Sequence, residues 1–364
     1  MTSPASPRAE AVCIGESMAV LVPEQHGPLE RAECFGRGVG GAESNVARGF
    51  AALGVPAAWI SRVGQDGFGR LLVAELESDG VDTSAVELDP HRATGLYVKE
   101  IGGGTGSPYD LGPGNSRLHY YRTGSAASAL GPDTLAAPRA AELLAAARIV
   151  HLSGITAALG RLTGEDGGRR LVESVLAHRR PGQLVSFDLN WRPRLWQPPA
   201  GRPEPSQATE ILVALADRAD VVLLGTDEAA EVFGTAEPAE LRALLPNPRI
   251  LVVKDAERGV TAFDREQGGS PVTEPALHVE VVEPIGAGDA FAAGYLTGLL
   301  RGHDQRRRLR LGHVCAATAL MVRDDHATPP DPDTLEALLG CPEAQWAAIR
   351  ASGGRFTAPE AVAP

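Results

Sequence analysis

Cysteine is scarce in this 364-residue chain: Cys13, Cys34, Cys315 and Cys341 are the four copies, and no two form a Cys-x-x-Cys. Such wide spacing indicates neither a disulfide framework nor a thiolate zinc site, and it points to a reducing compartment. Positive charge is in deficit, with 34 Lys and Arg against 46 Asp and Glu and a formal net charge of −12. The overall field therefore repels nucleic acid and anionic membrane, so any anionic ligand must be met by local cations. No run of 18 apolar residues occurs, and residues 1–10 carry no apolar stretch. Neither a membrane span nor a signal peptide is expected, which leaves a soluble cytoplasmic protein with a disordered tail over 1–10. No Gly-x-Gly-x-x-Gly joins a first strand to a helix, which argues against dinucleotide redox chemistry.

What is present is apolar material in regular alternation. Hydrophobic residues make up 43% of the chain, enough for a substantial core. Asn45–Leu53 reads as a helix ended by Gly54; a strand follows through Trp59, Ile60 and Val63, then a second helix over Phe68–Asp79 ended by Gly80. Arg148–Leu152, Leu184–Asp188, Val221–Leu224 and Ile250–Lys254 are short β-branched runs separated by helical patterns. Such runs are buried on both faces, as in a parallel sheet covered by helices. The expected fold is α/β, a three-layer αβα sandwich over residues 11–340. Residues 16–40 and 94–125 break the alternation and are expected to form a small β-sheet lid. Within the second, the Gly- and Pro-rich run from Gly102 to Asn115 reads as a mobile hairpin loop. Residues 197–206 and 265–275 read as surface connections, and 341–364 as a C-terminal tail. The basic run Arg306, Arg307, Arg308 and Arg310 reads as a solvated helix face. His119, His151 and Met18 read as packing residues.

The run Pro284-Ile285-Gly286-Ala287-Gly288-Asp289-Ala290-Phe291 carries the chemistry. Gly286 and Gly288 let the main chain approach an anion. From Asp289 a helix follows, with Phe291, Tyr295 and Leu299 along one face and Ala290, Ala293 and Gly294 small enough for close packing. Free N–H groups at the positive end of that helix make a site for phosphate. Asp289 then has two readings: a helix-terminal acid favoured by the dipole, or a base that takes a proton from an attacking hydroxyl.

Gly40-Gly41-Ala42-Glu43-Ser44-Asn45-Val46-Ala47, Gly64-Gln65-Asp66-Gly67-Phe68-Gly69 and Gly286-Ala287-Gly288-Asp289, in this order, resemble the signatures of ribokinase-like (PfkB-type) sugar kinases over approximately residues 11–335. The resemblance implies ATP bound on an αβα core, a β lid over the sugar, and Asp289 as the base. The amides of Gly286, Ala287 and Gly288 become the anion hole, and Mg²⁺ and a monovalent cation become candidate cofactors. Such a site positions hydroxyl and phosphate, spreads charge and excludes water.

For the acceptor, Gly40 and Gly41 permit close main-chain approach and Asn45 offers a donor and an acceptor to a polyol; the alternative is a helix start capped by Glu43 and Ser44. In Arg117–Ala126, Tyr120 and Arg122 project to one side of a strand, where a guanidinium fork suits a carboxylate, unless the strand is exposed and Arg122 meets water. Asp188-Leu189-Asn190-Trp191-Arg192 follows a strand, the place where open α/β sheets bind ligands. With Ser153-Gly154-Ile155, these segments are similar to 2-keto-3-deoxygluconate kinases. That likeness implies a pocket of Gly40, Tyr97, Tyr120, Arg122, Ile155 and Arg192 and phosphorylation of a terminal primary hydroxyl. A neutral ketose such as fructose is the alternative acceptor, and a sugar- or nucleotide-sensing protein with weak turnover is the alternative class.

The nucleotide side is implied at Asn190, Glu228, Lys254, Gly259, Gly286, Gly288 and Cys315, with Glu228 acting on metal through water. Lys254 otherwise reads as a surface charge at a strand end. The pattern departs from the family at Glu283 (usually Asp), Gly225 (usually Asn), Ala256 (usually Gly) and Cys315 (commonly Asn). Open lid edges favour a homo-oligomer, a dimer through the lid or larger.

Overall fold

A computed structural model describes residues 9–113, 115–197, 206–322 and 328–357. Its centre is an eight-stranded sheet. From one edge the order is Val272–Glu274, Gly259–Asp264, Ile250–Asp255, Val221–Gly225, Leu184–Asp188, Ile149–Ser153, Ala11–Ile14 and Ala57–Ile60. The six strands from Ile250–Asp255 onward are parallel, and the two at the first edge are antiparallel.

Each parallel strand is apolar on successive residues because both of its faces are covered. Val12, Ile14, Val150, Leu152, Val222 and Leu224 point into one apolar layer, and Ala11, Cys13, Ile149, Val221 and Leu223 into the other. The helices Gly167–His178 and Thr226–Phe233 cover the first face; Ala42–Ala52, Gly67–Ser78 and Ala287–Leu300 cover the second. Small residues bring the helices close. A Cβ at Gly49 would stand 2.5 Å from the Ala293 Cβ, and one at Gly294 would stand 2.6 Å from the Leu311 carbonyl oxygen. Among the described residues no helix is long and apolar enough to cross a membrane.

A separate four-stranded sheet, ordered Phe35–Gly40, Met18–Pro23, Leu96–Ile101 and Ser116–Tyr121, comes from the two stretches that broke the helical alternation. Its inner face carries Met18, Val20 and Tyr97. The loop that joins its last two strands is organised around Asp110, whose carboxylate accepts from the main-chain N–H groups of Gly103, Thr105 and Gly112. Gly114 lies outside the described residues.

Several local expectations are corrected. Of the expected connection 265–275, residues Val272–Glu274 form the edge strand of the main sheet. Residues 341–357 are not a tail: the helix Glu343–Trp346 and the strands Arg350–Ser352 and Arg355–Thr357 pack against His278–Val279. Trp346 is fully buried there, its Nε1 donates to the Pro275 carbonyl, and the Arg310 guanidinium lies 4.7 Å over its ring. The arginine run is a solvated face only in part, with Arg306 exposed. Arg308 and Arg310 are buried in ion pairs with Asp264 and Glu274, since each carboxylate sits on a strand directly beneath the helix. Residues 1–8, 198–205 and 358–364 lie outside the described residues.

Ala256, in the turn after Ile250–Asp255, holds φ at 43°. The left-handed region that a glycine would occupy freely is thus retained with a Cβ, at roughly 1–2 kcal/mol, part of which glycine would return through its looser unfolded chain. Ala256→Gly is expected to stabilise the protein by about 0.5–1 kcal/mol in urea unfolding. A lower midpoint in the variant would contradict this.

Candidate active site

The carboxyl ends of the parallel strands open into a cavity of about 940 Å³, roofed by the small sheet. Four neighbouring strands deliver cavity residues at or just beyond their ends. Ile149–Ser153 leads to Ile155, Leu184–Asp188 to Asn190 and Arg192, Val221–Gly225 to Glu228, and Ile250–Asp255 contributes Lys254 near its end. Gly40, Gly41 and Asn45 enter from the second face, and Tyr97, Leu118 and Tyr120 hang from the roof.

Gly286 takes φ 83° and starts the helix Ala287–Leu300. Among the described residues no side chain caps this end, so the N–H groups of the first turn stay available at the cavity wall. Lys254 Nζ would lie 3.7 Å from a Cβ placed on Gly288, which puts a cation beside those donors. This is a cradle for an anion.

Asp289 stands in the same first turn. Its Oδ2 accepts from Asn45 Nδ2 at 2.9 Å, and Asn190 Nδ2 approaches its Oδ1 at 3.5 Å. Asn190 reaches it from a left-handed main chain, φ 40°, a cost that surrounding contacts must sustain. Asn45 Oδ1 is buried without a hydrogen-bond partner among the described residues, which leaves it an acceptor for a hydroxyl. Withdrawal from water, reinforced by the nearby Asp188 carboxylate, pushes the Asp289 pKa from 3.8 to about 7, against the Asn45 hydrogen bond and the charges of Arg192 and Lys254.

Asp188 is buried and holds Lys254 by an ion pair of 2.9 Å. Desolvation works against the Lys254 charge, but Asp188 and Glu228 outweigh it and its pKa is raised. Glu228 accepts from the Trp191 N–H at 2.9 Å and the Gly225 N–H at 3.1 Å, and burial with the neighbouring Asp188 charge lifts its pKa. The main-chain N–H of Gly225 thus keeps Glu228 at the cavity wall without an asparagine side chain. Among the described residues no group of three potential ligands forms a protein cage for a metal. Asp188 and Glu228 fit the other arrangement, in which Mg²⁺ rests mainly on phosphates and water.

Of the residues expected from the sequence, Gly40, Gly41, Asn45, Tyr97, Tyr120, Arg122, Ile155, Asn190, Arg192, Glu228, Lys254, Gly286, Gly288 and Asp289 line this one cavity. Ala287 supplies a main-chain group of the turn. Gly259 and Cys315 do not line it. Gly259 borders a separate groove with Asp227 and Asp255, and its φ of 140° serves a close contact with the Glu274 main chain. Cys315 is buried in the apolar layer under Gly294, and burial pushes its thiol up to about 12. Met18, expected only to pack, also lines the cavity.

Arg122 is corrected in another respect. Its guanidinium is already ion-paired with buried Glu16, whose other oxygen accepts from Ser125 Oγ at 2.7 Å. Sequence reasoning passed over Glu16 and Arg194. Arg194 lines the cavity, is exposed, and makes no ion pair among the described residues. Its signal was the second arginine of Arg192-Pro193-Arg194, directly beyond a strand end.

Comparison with known proteins identifies the family. The profile of the pfkB family carbohydrate kinase matches residues 8–332. A 2-dehydro-3-deoxygluconokinase of Thermoproteus tenax is 35% identical over 343 residues, covering 92% of this chain and 96% of that protein. A probable fructokinase-3 of Arabidopsis thaliana is 27% identical, with 93% of each chain covered. The crystal structure of a PfkB protein from Polaromonas sp. JS666 superposes with a TM-score of 0.72 at 29% identity, covering 87% of this chain and 98% of that one.

Because Asp289 holds its proton above the ordinary carboxylate range, this group binds more protons in the folded chain than in the unfolded one between about pH 4 and pH 7. Its contribution to stability falls as pH rises through that window. Asp289→Asn removes the cost, so the variant is expected to melt higher than the parent at pH 8, with the difference closing near pH 4. A lower melting temperature at pH 8 would contradict the burial of a strained carboxylate here.

Proposed function

This chain belongs to the pfkB family of carbohydrate kinases, phosphotransferases with an alcohol group as acceptor, and we propose that it uses ATP to phosphorylate the terminal primary hydroxyl of 2-keto-3-deoxygluconate. The observation that carries the reading is Asp289, lifted to about 7 and held by Asn45 beside an uncapped helix N-terminus. A carboxylate with that pKa accepts a proton near neutral pH, as a general base must.

The chain's own residues divide the work. Asn45 and Asp289 hold the acceptor hydroxyl, and Asp289 takes its proton as the sugar oxygen bonds to phosphorus and the bridging bond to the nucleotide breaks. The N–H groups of Gly286, Ala287 and Gly288, with Lys254, meet the charge spread over the phosphoryl oxygens. A nucleoside triphosphate with Mg²⁺ supplies the phosphoryl group and neutralises part of its charge when bound; Asp188 and Glu228 would hold the ion through water. The roof excludes water from the transfer.

The acid-sugar reading rests on Arg192 and Arg194. Arg122 is neutralised by Glu16; Arg194 makes no ion pair among the described residues and Arg192 only a loose one, so these two present positive charge to a carboxylate. Arg192 lies 3.7 Å from Glu228, a loose contact that a substrate carboxylate could replace. A neutral ketose is the second reading, favoured by the Arg122–Glu16 pair itself, which removes one cation from the roof. The edges of the small sheet, Phe35–Gly40 and Ser116–Tyr121, support assembly of copies through the lid.

The test is a coupled ADP-release assay with Mg·ATP against 2-keto-3-deoxygluconate, aldonic acids, fructose and ribose. The keto-deoxy acid is expected to give the highest kcat/KM, and Asp289→Asn to lower kcat by roughly 10²- to 10⁴-fold. Arg194→Ala is expected to raise KM for the acid by about tenfold or more and leave a neutral sugar's KM unchanged. Higher kcat/KM for fructose than for the acid would overturn the substrate assignment.

A further inference from the structure

Lys99 belongs to the strand Leu96–Ile101 of the small sheet, on the same inward face as Tyr97. Its ammonium group forms an ion pair with the Glu283 carboxylate, and both side chains are about nine-tenths buried. Glu283 immediately precedes Pro284, the first cavity-lining residue of the anion-binding turn. Its second oxygen accepts from the Ile285 N–H at 3.4 Å. One carboxylate therefore touches the lid with one oxygen and the turn with the other.

We propose that Lys99 and Glu283 are positioning residues forming a latch, through which closure of the lid over the sugar fixes the Pro284–Gly288 turn in its anion-binding shape. The proposal rests on the carbohydrate-kinase reading of the cavity. Its geometry is that of a catch and not of a hinge. A second ion pair, Arg122 with Glu16, lies where the chain enters and leaves the sheet, beside Gly95. Lys99 lies four residues beyond Gly95, roughly 13 Å along the strand. A modest rotation of the lid about its base leaves Arg122 and Glu16 together and separates Lys99 from Glu283.

Energetics suit a reversible device. The attraction in a buried ion pair is largely offset by the desolvation of both partners, so such a pair is near break-even against two hydrated charges. Opening the lid returns both groups to water at little net cost. While the latch is closed, the Glu283 carboxylate is fixed, and with it the N–H of Ile285. The main chain just before it is tied to the core, since the Val282 N–H donates to the Leu320 carbonyl at 2.8 Å. The start of the turn is thus held by the core through its main chain and by the lid through the Glu283 side chain. Phosphoryl transfer is then favoured when the sugar side is covered, which restrains hydrolysis of the donor by water.

The test uses the full-length protein with Lys99→Met, Glu283→Gln, their double variant and Glu283→Asp, which keeps the charge and retracts it by one methylene. In the ligand-free chain, hydrogen exchange of residues 96–101 is expected to quicken roughly tenfold in each variant. In turnover, each single change is expected to lower kcat/KM for the sugar roughly tenfold, leave KM for ATP within about twofold, and raise the fraction of ATP hydrolysed without sugar phosphate. The double variant is expected to be no worse than either single one. Unchanged exchange at 96–101, additive losses in the double variant, or equal losses for both substrates would each overturn the latch. Wild-type turnover in the same assay tests the kinase reading separately, and the exchange experiment requires no substrate. Should a methionine or glutamine variant fail to fold, Glu283→Asp and the parent carry the comparison.

Discussion

The constraint on which the site depends is a carboxylate kept from water next to another carboxylate. Asp289 and Asp188 face one cavity, and withdrawal from water together with the Asp188 charge raises the Asp289 carboxyl. Lys254 goes to Asp188, at 2.9 Å, which leaves Asp289 to share its proton with the solvent near neutral pH. The division is chemical: one acid holds the cation that meets phosphate, and the other is free to accept a proton.

That arrangement requires a fold in which strands end together. The parallel sheet delivers Asp188, Asn190, Glu228 and Lys254 from three neighbouring strands, and the second-face helices bring Asn45 and Asp289 to meet them. Helix closeness is the other requirement. Gly49 against Ala293 and Gly294 against Leu311 seat the helix Ala287–Leu300 deep enough for its first turn to reach the cavity. Larger side chains at these positions would push Asp289 away from Asn45 while leaving the sheet intact.

Much of this was legible in the sequence, for physical reasons. Strands buried on both faces show as unbroken apolar runs such as Val221–Leu224, and glycine-acid turns at helix starts announce themselves locally. What escaped depended on partners far away in the chain. Arg122 read as an open fork because Glu16, 106 positions earlier, gave no sign of facing it. Arg308 and Arg310 read as solvated because the strands bearing Asp264 and Glu274 were not visible beneath them. Cys315 was placed by family pattern and lies in the apolar layer, whereas Trp346, whose partners are the Pro275 carbonyl and Arg310, had no local periodicity to mark it. Charge pairing and burial are tertiary facts.

The pH dependence of kcat/KM for the sugar, measured from pH 5 to pH 9 on the unaltered protein, bears most directly on the raised carboxylate. Activity should climb with pH along a limb whose apparent pKa is about 7, because protonated Asp289 cannot accept the hydroxyl proton. A profile that stays flat down to pH 5 would contradict the assignment of Asp289 as the base.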